Sequence, residues 1–174
     1  MHFHTYNIIV VSMIPAFTSI SGSPWDVLPA GIHHATFEEI EAVCGCNDRR
    51  RALLAGLIDA AVALAKAGCS TIYLDGSFVT AKPIPGDYDA CWVPDGVTET
   101  LLDPVFKDFS NGRAAQKARF GGEFFPSSTL EGGSGRTFLD FFQVEKHTGE
   151  KKGIIEISLM TDALVLRRLA HDIQ

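Results

Sequence analysis

Two short runs, Gly76-Ser77 and Asp87-Tyr88-Asp89, carry the clearest chemical signal in this chain. Side chains alternate along a strand, so Asp87 and Asp89 point the same way. Two carboxylates on one face repel each other unless a positive group lies between them. Magnesium is a hard cation that takes oxygen ligands, commonly one or two carboxylates plus substrate phosphates. Gly76 lets backbone approach a phosphate closely, and Ser77 offers a hydroxyl and an N–H to its oxygens. Lys82, in the intervening loop, adds a point charge. Taken singly, each fragment is ordinary: Gly-Ser is common in turns, and Asp-x-Asp beside Pro85 and Gly86 is common in loops. Their order, strand then Gly-Ser then loop then Asp-x-Asp then strand, is what suits them to a nucleoside triphosphate.

The flanking sequence must position these groups. Residues 69–74 read as a strand after Gly68 ends a helix, and residues 88–93 read as a second strand closed by Pro94-Asp95-Gly96. Thr36-Phe37-Glu38-Glu39 is a capping box that opens a helix running to about Cys44. A second helix runs from Asn47 or Asp48 to Ala67, with Leu53, Leu54, Leu57, Ile58, Ala61, Leu64 and Ala65 on its apolar face, and backs the sheet. Residues 24–31 read as loop, and His33 and His34 follow in the same loop with no further ligand placed beside them. Helical pieces are expected at 98–106 and 111–119. The second has little apolar surface; Gln116, Lys117 and Arg119 either reach phosphates or form a solvated face. Asp140 and Glu156 each interrupt an apolar strand-like run, 138–142 and 154–157, where an unpaired carboxylate is expensive to bury. His147-Thr148-Gly149-Glu150 reads as a hairpin turn between those runs. Thr161-Asp162-Ala163 starts a C-terminal helix ending in Arg167-Arg168. The fold class is therefore α/β (α+β): a small mixed central sheet backed by helices. Residues 1–12 read as an N-terminal extension and 13–174 as a single domain.

The 174 residues are 46% hydrophobic, ample for one core, and carry a net charge of −6, so the surface as a whole does not favour nucleic acid or an anionic membrane. Arg49-Arg50-Arg51, Lys117 with Arg119, and Arg167-Arg168 are the basic clusters, each read as a solvated helix face. Cys44-Gly45-Cys46 is too tight for half a zinc knuckle, and Cys69 and Cys91 read as small core residues. A reduced cytoplasmic protein accounts for all four cysteines. The apolar run Asn7-Ile8-Ile9-Val10-Val11 is too short to span a bilayer and lacks a basic start.

The motif Leu74-Asp75-Gly76-Ser77 with Asp87-Tyr88-Asp89 resembles the core motif of the polymerase-beta-like nucleotidyltransferase superfamily. More narrowly, Leu28-Pro29-Ala30-Gly31-Ile32-His33, Tyr73 to Lys82, Phe109 to Arg119 and Gly153 to Ile157 resemble a poorly characterised group of small bacterial nucleotidyltransferase-like proteins. The resemblance covers roughly Met13 to Leu159 and implies a minimal nucleotidyltransferase fold. Asp75 departs from the pattern by standing where an apolar residue is usual; it is either a further site carboxylate or only a loop hydrogen-bond acceptor, and the second is preferred. The resemblance also implies a third carboxylate on a later strand; Asp140 is the choice and Glu156 the alternative.

On this reading Gly76, Ser77, Lys82, Lys117 and Arg119 bind the nucleotide. Asp87, Asp89 and Asp140 hold two Mg²⁺ ions for transfer of a nucleoside monophosphate from an NTP. There is little room for an acceptor domain after Ile157. That points to a macromolecular hydroxyl, on protein or tRNA, with the acidic net charge favouring protein unless a basic patch lies beside the site. The resemblance further implies membership of a toxin–antitoxin or phage-defence system, with a cognate toxin or antitoxin partner and no membrane. The alternative is a catalytically silent nucleotide- or partner-binding module of the same fold. Hydrolysis in the manner of a glycosidase is disfavoured, because Asp87 and Asp89 are too close to flank a sugar bond.

Overall fold

The computed structural model describes residues 13–171, so the expected extension over residues 1–12 lies outside the described residues. Five strands form one mixed sheet: β1 (Gly31–His34), β2 (Thr71–Asp75), β3 (Asp89–Trp92), β4 (Glu123–Pro126) and β5 (Gly153–Ser158). Their spatial order is β1-β5-β2-β3-β4. β2 runs antiparallel to both β3 and β5, while β1 pairs with β5, and β3 with β4, in parallel. The helices are α1 (Phe37–Cys44), α2 (Asp48–Lys66), α3 (Ala114–Phe120), α4 (Phe138–Phe142) and α5 (Ala163–His171). This is the mixed sheet with backing helices that the sequence predicts.

Both long helix starts follow from capping chemistry. The Thr36 hydroxyl accepts from the Glu39 N–H at 3.2 Å, and the Glu39 carboxylate accepts from the Thr36 N–H at 2.8 Å. Asn47 accepts from the Arg50 N–H at 3.0 Å. Leu53, Leu54, Leu57 and Leu64 of α2 join Ile72, Leu74, Ala90, Phe124, Ile155 and Ile157 of the sheet in one core. Burial of that face, not intrinsic propensity, is what holds a helix against a sheet. The opposite face of the sheet carries a smaller cluster, Cys91, Phe125 and Ile154 under Phe142 of α4.

Five local expectations are corrected. Residues 138–142 are helical: Thr137 caps α4 by accepting from the Asp140 N–H at 3.2 Å, and the turn brings Phe138 and Phe142 together onto Phe125, with ring centroids 4.1 and 5.7 Å away. The segment after it closes through an isolated Val144–Lys151 bridge, so residues 147–150 do not join two strands. His33 and His34 belong to β1, because Ala30-Gly31 enters an edge pairing with β5. Of the expected helix 98–106, only a 3-10 turn at Pro104–Lys107 forms; Pro104 supplies no N–H, and Asp103 accepts from the Val105 N–H at 3.0 Å. The piece at 111–119 begins with left-handed residues and becomes α3 only at Ala114.

Candidate active site

Asp89 opens β3, and in the sheet register it stands between Asp75 on β2 and Glu123 on β4. Neighbouring side chains in register share a face, so three carboxylates line one end of the sheet, with Asp87 two residues ahead of Asp89. Tyr88 points the other way into the core, fully buried, its ring edge against Phe124 and its hydroxyl donating to the Phe120 carbonyl at 2.9 Å. That anchor fixes the direction of Asp87 and Asp89 on either side of it.

Asp75 is buried and forms an ion pair with the Lys152 ammonium. It is the last residue of β2 and half of an internal charge pair; it accepts from the Gly76 backbone, as the acceptor reading predicts, and it also lines the cavity, as the site-carboxylate reading predicts. Gly76 follows with φ +84°, a left-handed conformation, and a Cβ there would lie 2.8 Å from the Asp89 nitrogen. The strand end can pack against Asp89 only because this residue is glycine. Ser77 opens a 3-10 turn, Ser77–Val79, and its hydroxyl donates to the Asp87 carbonyl at 3.4 Å.

The loop between the two motifs is strapped to the start of α2. The Arg50 guanidinium, 3% exposed, donates to the carbonyls of Phe78 at 2.6 Å, Thr80 at 2.8 Å and Lys82 at 2.5 Å. The Asn47 amide donates to the Pro83 carbonyl at 2.9 Å, and Arg49 to those of Pro85 and Gly86. Arg50 is thus a buried loop anchor, not part of a solvated face, while Arg49 bonds the loop and stays exposed. The sequence held a hint of this: three arginines in a helix's first turn oppose the macrodipole and need partners elsewhere.

Basic side chains of α3 meet the carboxylate row. Lys117 Nζ lies 2.5 Å from Glu123 and 3.6 Å from Asp87, and Arg113 Nε lies 2.9 Å from Glu123. Arg113 also sits over the Phe125 ring at 4.9 Å. Gln116, expected on a solvated face, is fully buried; it accepts from the Phe124 N–H at 2.8 Å and donates to the carbonyls of Val105 and Asp108, pinning α3 to β4. Burial first, then the charges of Asp75, Glu123 and Asp87, push the Asp89 carboxyl up to about 7, with Lys117 pulling the other way. Burial also pushes Asp75 up, against the pull of Lys152. The hydrogen bond to Glu123 heads the causes that raise the Lys117 ammonium.

Gly76, Ser77, Lys82, Asp87 and Asp89 line one cavity of about 640 Å³ together with Asp75 and Lys152. Trp25, Arg136 and Lys146 form part of its outer wall. The remaining predicted site residues lie elsewhere. Asp140 is exposed at the start of α4, bonded to the Thr137 hydroxyl at 2.9 Å, and does not line the cavity. Glu156 pairs in register with Tyr73 and, on β1, with His34, whose Nδ1 is 2.8 Å away; β2 separates it from β3. Arg119 points to Asp103 at 2.6 Å. A carboxylate that the sequence reading did not single out, Glu123, is the β4 neighbour of Asp89 in register, outside the cavity lining. Its sequence signal was present, an acid leading the apolar run Phe124-Phe125 just as Asp89 leads Ala90-Cys91-Trp92.

Asp87, Asp89 and Glu123 offer oxygens alone, the donor set magnesium takes, and among the described residues no hydrogen bond reaches the Asp89 carboxylate. Among those residues no three His, Cys, Asp or Glu side chains converge as a ready metal cage; Glu123 is held by Lys117 and Arg113. The donor chemistry fits magnesium. The four cysteines are free thiols, three of them buried, and no described helix is long and apolar enough to cross a membrane.

No curated protein and no solved structure matches the chain. The sequence model of one family matches residues 23–158. With that match spanning most of its length, including every carboxylate of the row, the chain belongs to the family of unknown function DUF6932.

Proposed function

We propose that this protein transfers a nucleoside monophosphate from an NTP to a hydroxyl on a macromolecule. The observation that carries the reading is the Asp87, Asp89, Glu123 row lying beside the left-handed Gly76–Ser77 turn at one end of the sheet. The turn presents backbone and a hydroxyl to phosphate oxygens, and Lys82 adds charge from the cavity wall. Asp87 and Asp89, with Glu123 as third carboxylate, would hold magnesium. Bound there, it would neutralise the phosphates and lower the pKa of the attacking hydroxyl. Arg50 keeps the loop in place while the nucleotide enters, since its three carbonyl bonds leave the loop backbone little freedom.

The outer cavity wall favours RNA over protein as acceptor. Lys82, Arg136 and Lys146 have no ion-pair partner among the described residues, and Trp25, 40% exposed, offers a ring for base stacking. This local patch outweighs the overall charge of −6. The test is incubation of purified protein with Mg²⁺ and each labelled NTP, with total tRNA in one arm and a protein extract in the other. Label transferred to tRNA, and lost in Asp87→Ala/Asp89→Ala and in Glu123→Gln, is expected. No transfer by the wild type, or transfer that survives those substitutions, sinks the assignment.

A second reading, nucleotide binding without turnover, draws on the neutralisation of Glu123 by Lys117 and Arg113. NTP affinity with no pyrophosphate release would select it.

A further inference from the structure

Four carboxylates at this end of the sheet, Asp75, Asp87, Asp89 and Glu123, face three cations, Lys152, Arg113 and Lys117. One formal negative charge is left over, half of what a single divalent ion brings. The cations are also fixed in place. Asn111 (φ 48°), Gly112 (φ 63°) and Arg113 (φ 60°) form a run of left-handed residues, a conformation unfavourable for an ordinary L-residue. That turn delivers Arg113 onto Glu123 and over Phe125. One turn further along α3, Lys117 follows buried Gln116, whose bonds to β4 and to the loop before it prevent α3 from withdrawing. Lys117 Nζ therefore stands between Asp87 and Glu123 as a built part of the fold.

We propose that Lys117 is a resident cation occupying the second ion position between Asp87 and Glu123, so that the site takes one divalent ion, on the Asp87–Asp89 side, instead of two. The inference rests on the metal-assisted reading above and refines it. Lys117 is a positioning and charge-balancing residue: it holds Glu123 and Asp87 at fixed separation and supplies, without an exchangeable ligand, the positive charge that would otherwise come from a second ion. Arg113 engages the other Glu123 oxygen, which reinforces the exclusion. The Lys117 side chain is 43% exposed, so neutral substitution should leave the fold intact.

The experiment is a Mn²⁺ titration of the full chain, followed by electron paramagnetic resonance, in saturating non-hydrolysable α,β-methylene ATP. The wild type is expected to show one isolated Mn²⁺ per chain. Lys117→Met should take up a second ion at least about tenfold more tightly than the wild type and give a spin-coupled pair, while Lys117→Arg should behave as the wild type. A coupled pair in the wild type overturns the inference and leaves the proposed function standing. Unchanged stoichiometry in Lys117→Met overturns it equally. Failure of the wild type to bind Mn²⁺ or the nucleotide overturns both.

Discussion

Replacing Asp89 by Asn should stabilise the metal-free protein, and increasingly so as the pH rises. In the unfolded chain this carboxyl titrates near its ordinary 3.8; in the fold, burial and three neighbouring carboxylates carry it to about 7. A folded-state pKa above the unfolded one means that folding takes up a proton between those values. The contribution is therefore fully present below pH 3.8 and is lost as the pH climbs through about 7. At 1.36 kcal/mol per pH unit, the folded protein at pH 8 carries a burden of roughly 4 kcal/mol for keeping Asp89 ionised. Asn has nearly the same shape and no charge, so it removes that burden. The assay is thermal and urea denaturation of both proteins in EDTA from pH 4.5 to 8.5. Groups other than Asp89 titrate in both proteins, so the difference between the two curves isolates this one. At pH 8 the variant should melt roughly 10 °C higher, on a scale of about 2–4 °C per kcal/mol for a domain of this size, and the gap should narrow toward pH 4.5. Mg²⁺ should then raise the melting temperature of the wild type at pH 8 and not that of Asp89→Asn. A gap that does not depend on pH, or one that widens as the pH falls, refutes the electrostatic reasoning.

Arg50→Met should destabilise the fold by about 3 kcal/mol, since it orphans the buried carbonyl of Phe78 and the part-buried ones of Thr80 and Lys82; urea denaturation giving less than about 1 kcal/mol would count against the strap. Lys152→Met should cost about 3–5 kcal/mol by leaving Asp75 buried and unpaired, and adding Asp75→Asn should recover most of it. A double variant no more stable than the single one would contradict that pairing. Gly122→Ala places a Cβ 2.3 Å from the Tyr88 ring, which cannot give way while held by Phe120 and Phe124, so a loss of about 1–3 kcal/mol or more is expected by calorimetry. An unchanged melting temperature there would show that the ring has somewhere to go.

Much of the frame was legible because it rests on local rules. The Thr36 capping box, the apolar stripe of α2 and the strand, Gly-Ser, loop, Asp-x-Asp order each occupy a single stretch of chain. What escaped depends on register between distant stretches. Glu123 comes beside Asp89 only because β4 pairs in parallel with β3, and Lys152 meets Asp75 across 77 residues. Asp140 misled for the opposite reason. An apolar run of five residues carries no decisive period, and the Thr137 cap tipped it into a helix whose polar residue faces solvent. Gln116 looked like surface because nothing in a lone amide announces that three backbone groups will surround it.

The sheet order has a consequence for how the chain assembles. β5 comes last among the strands in sequence yet lies between β1 and β2. Until it docks, β1 has no neighbour in the sheet and β2 presents an open ladder edge, the kind of edge that invites pairing with another chain. α2 and the β2–β3 hairpin, with the nearby β4, involve shorter sequence separations and can gather first. The carboxylates of Asp75, Asp89 and Glu123 are then brought into a row before Lys152, one residue ahead of β5, arrives to balance Asp75. Closing the sheet and balancing Asp75 are one event, so a chain stalled before residue 152 would carry both an unpaired edge and an unbalanced Asp75.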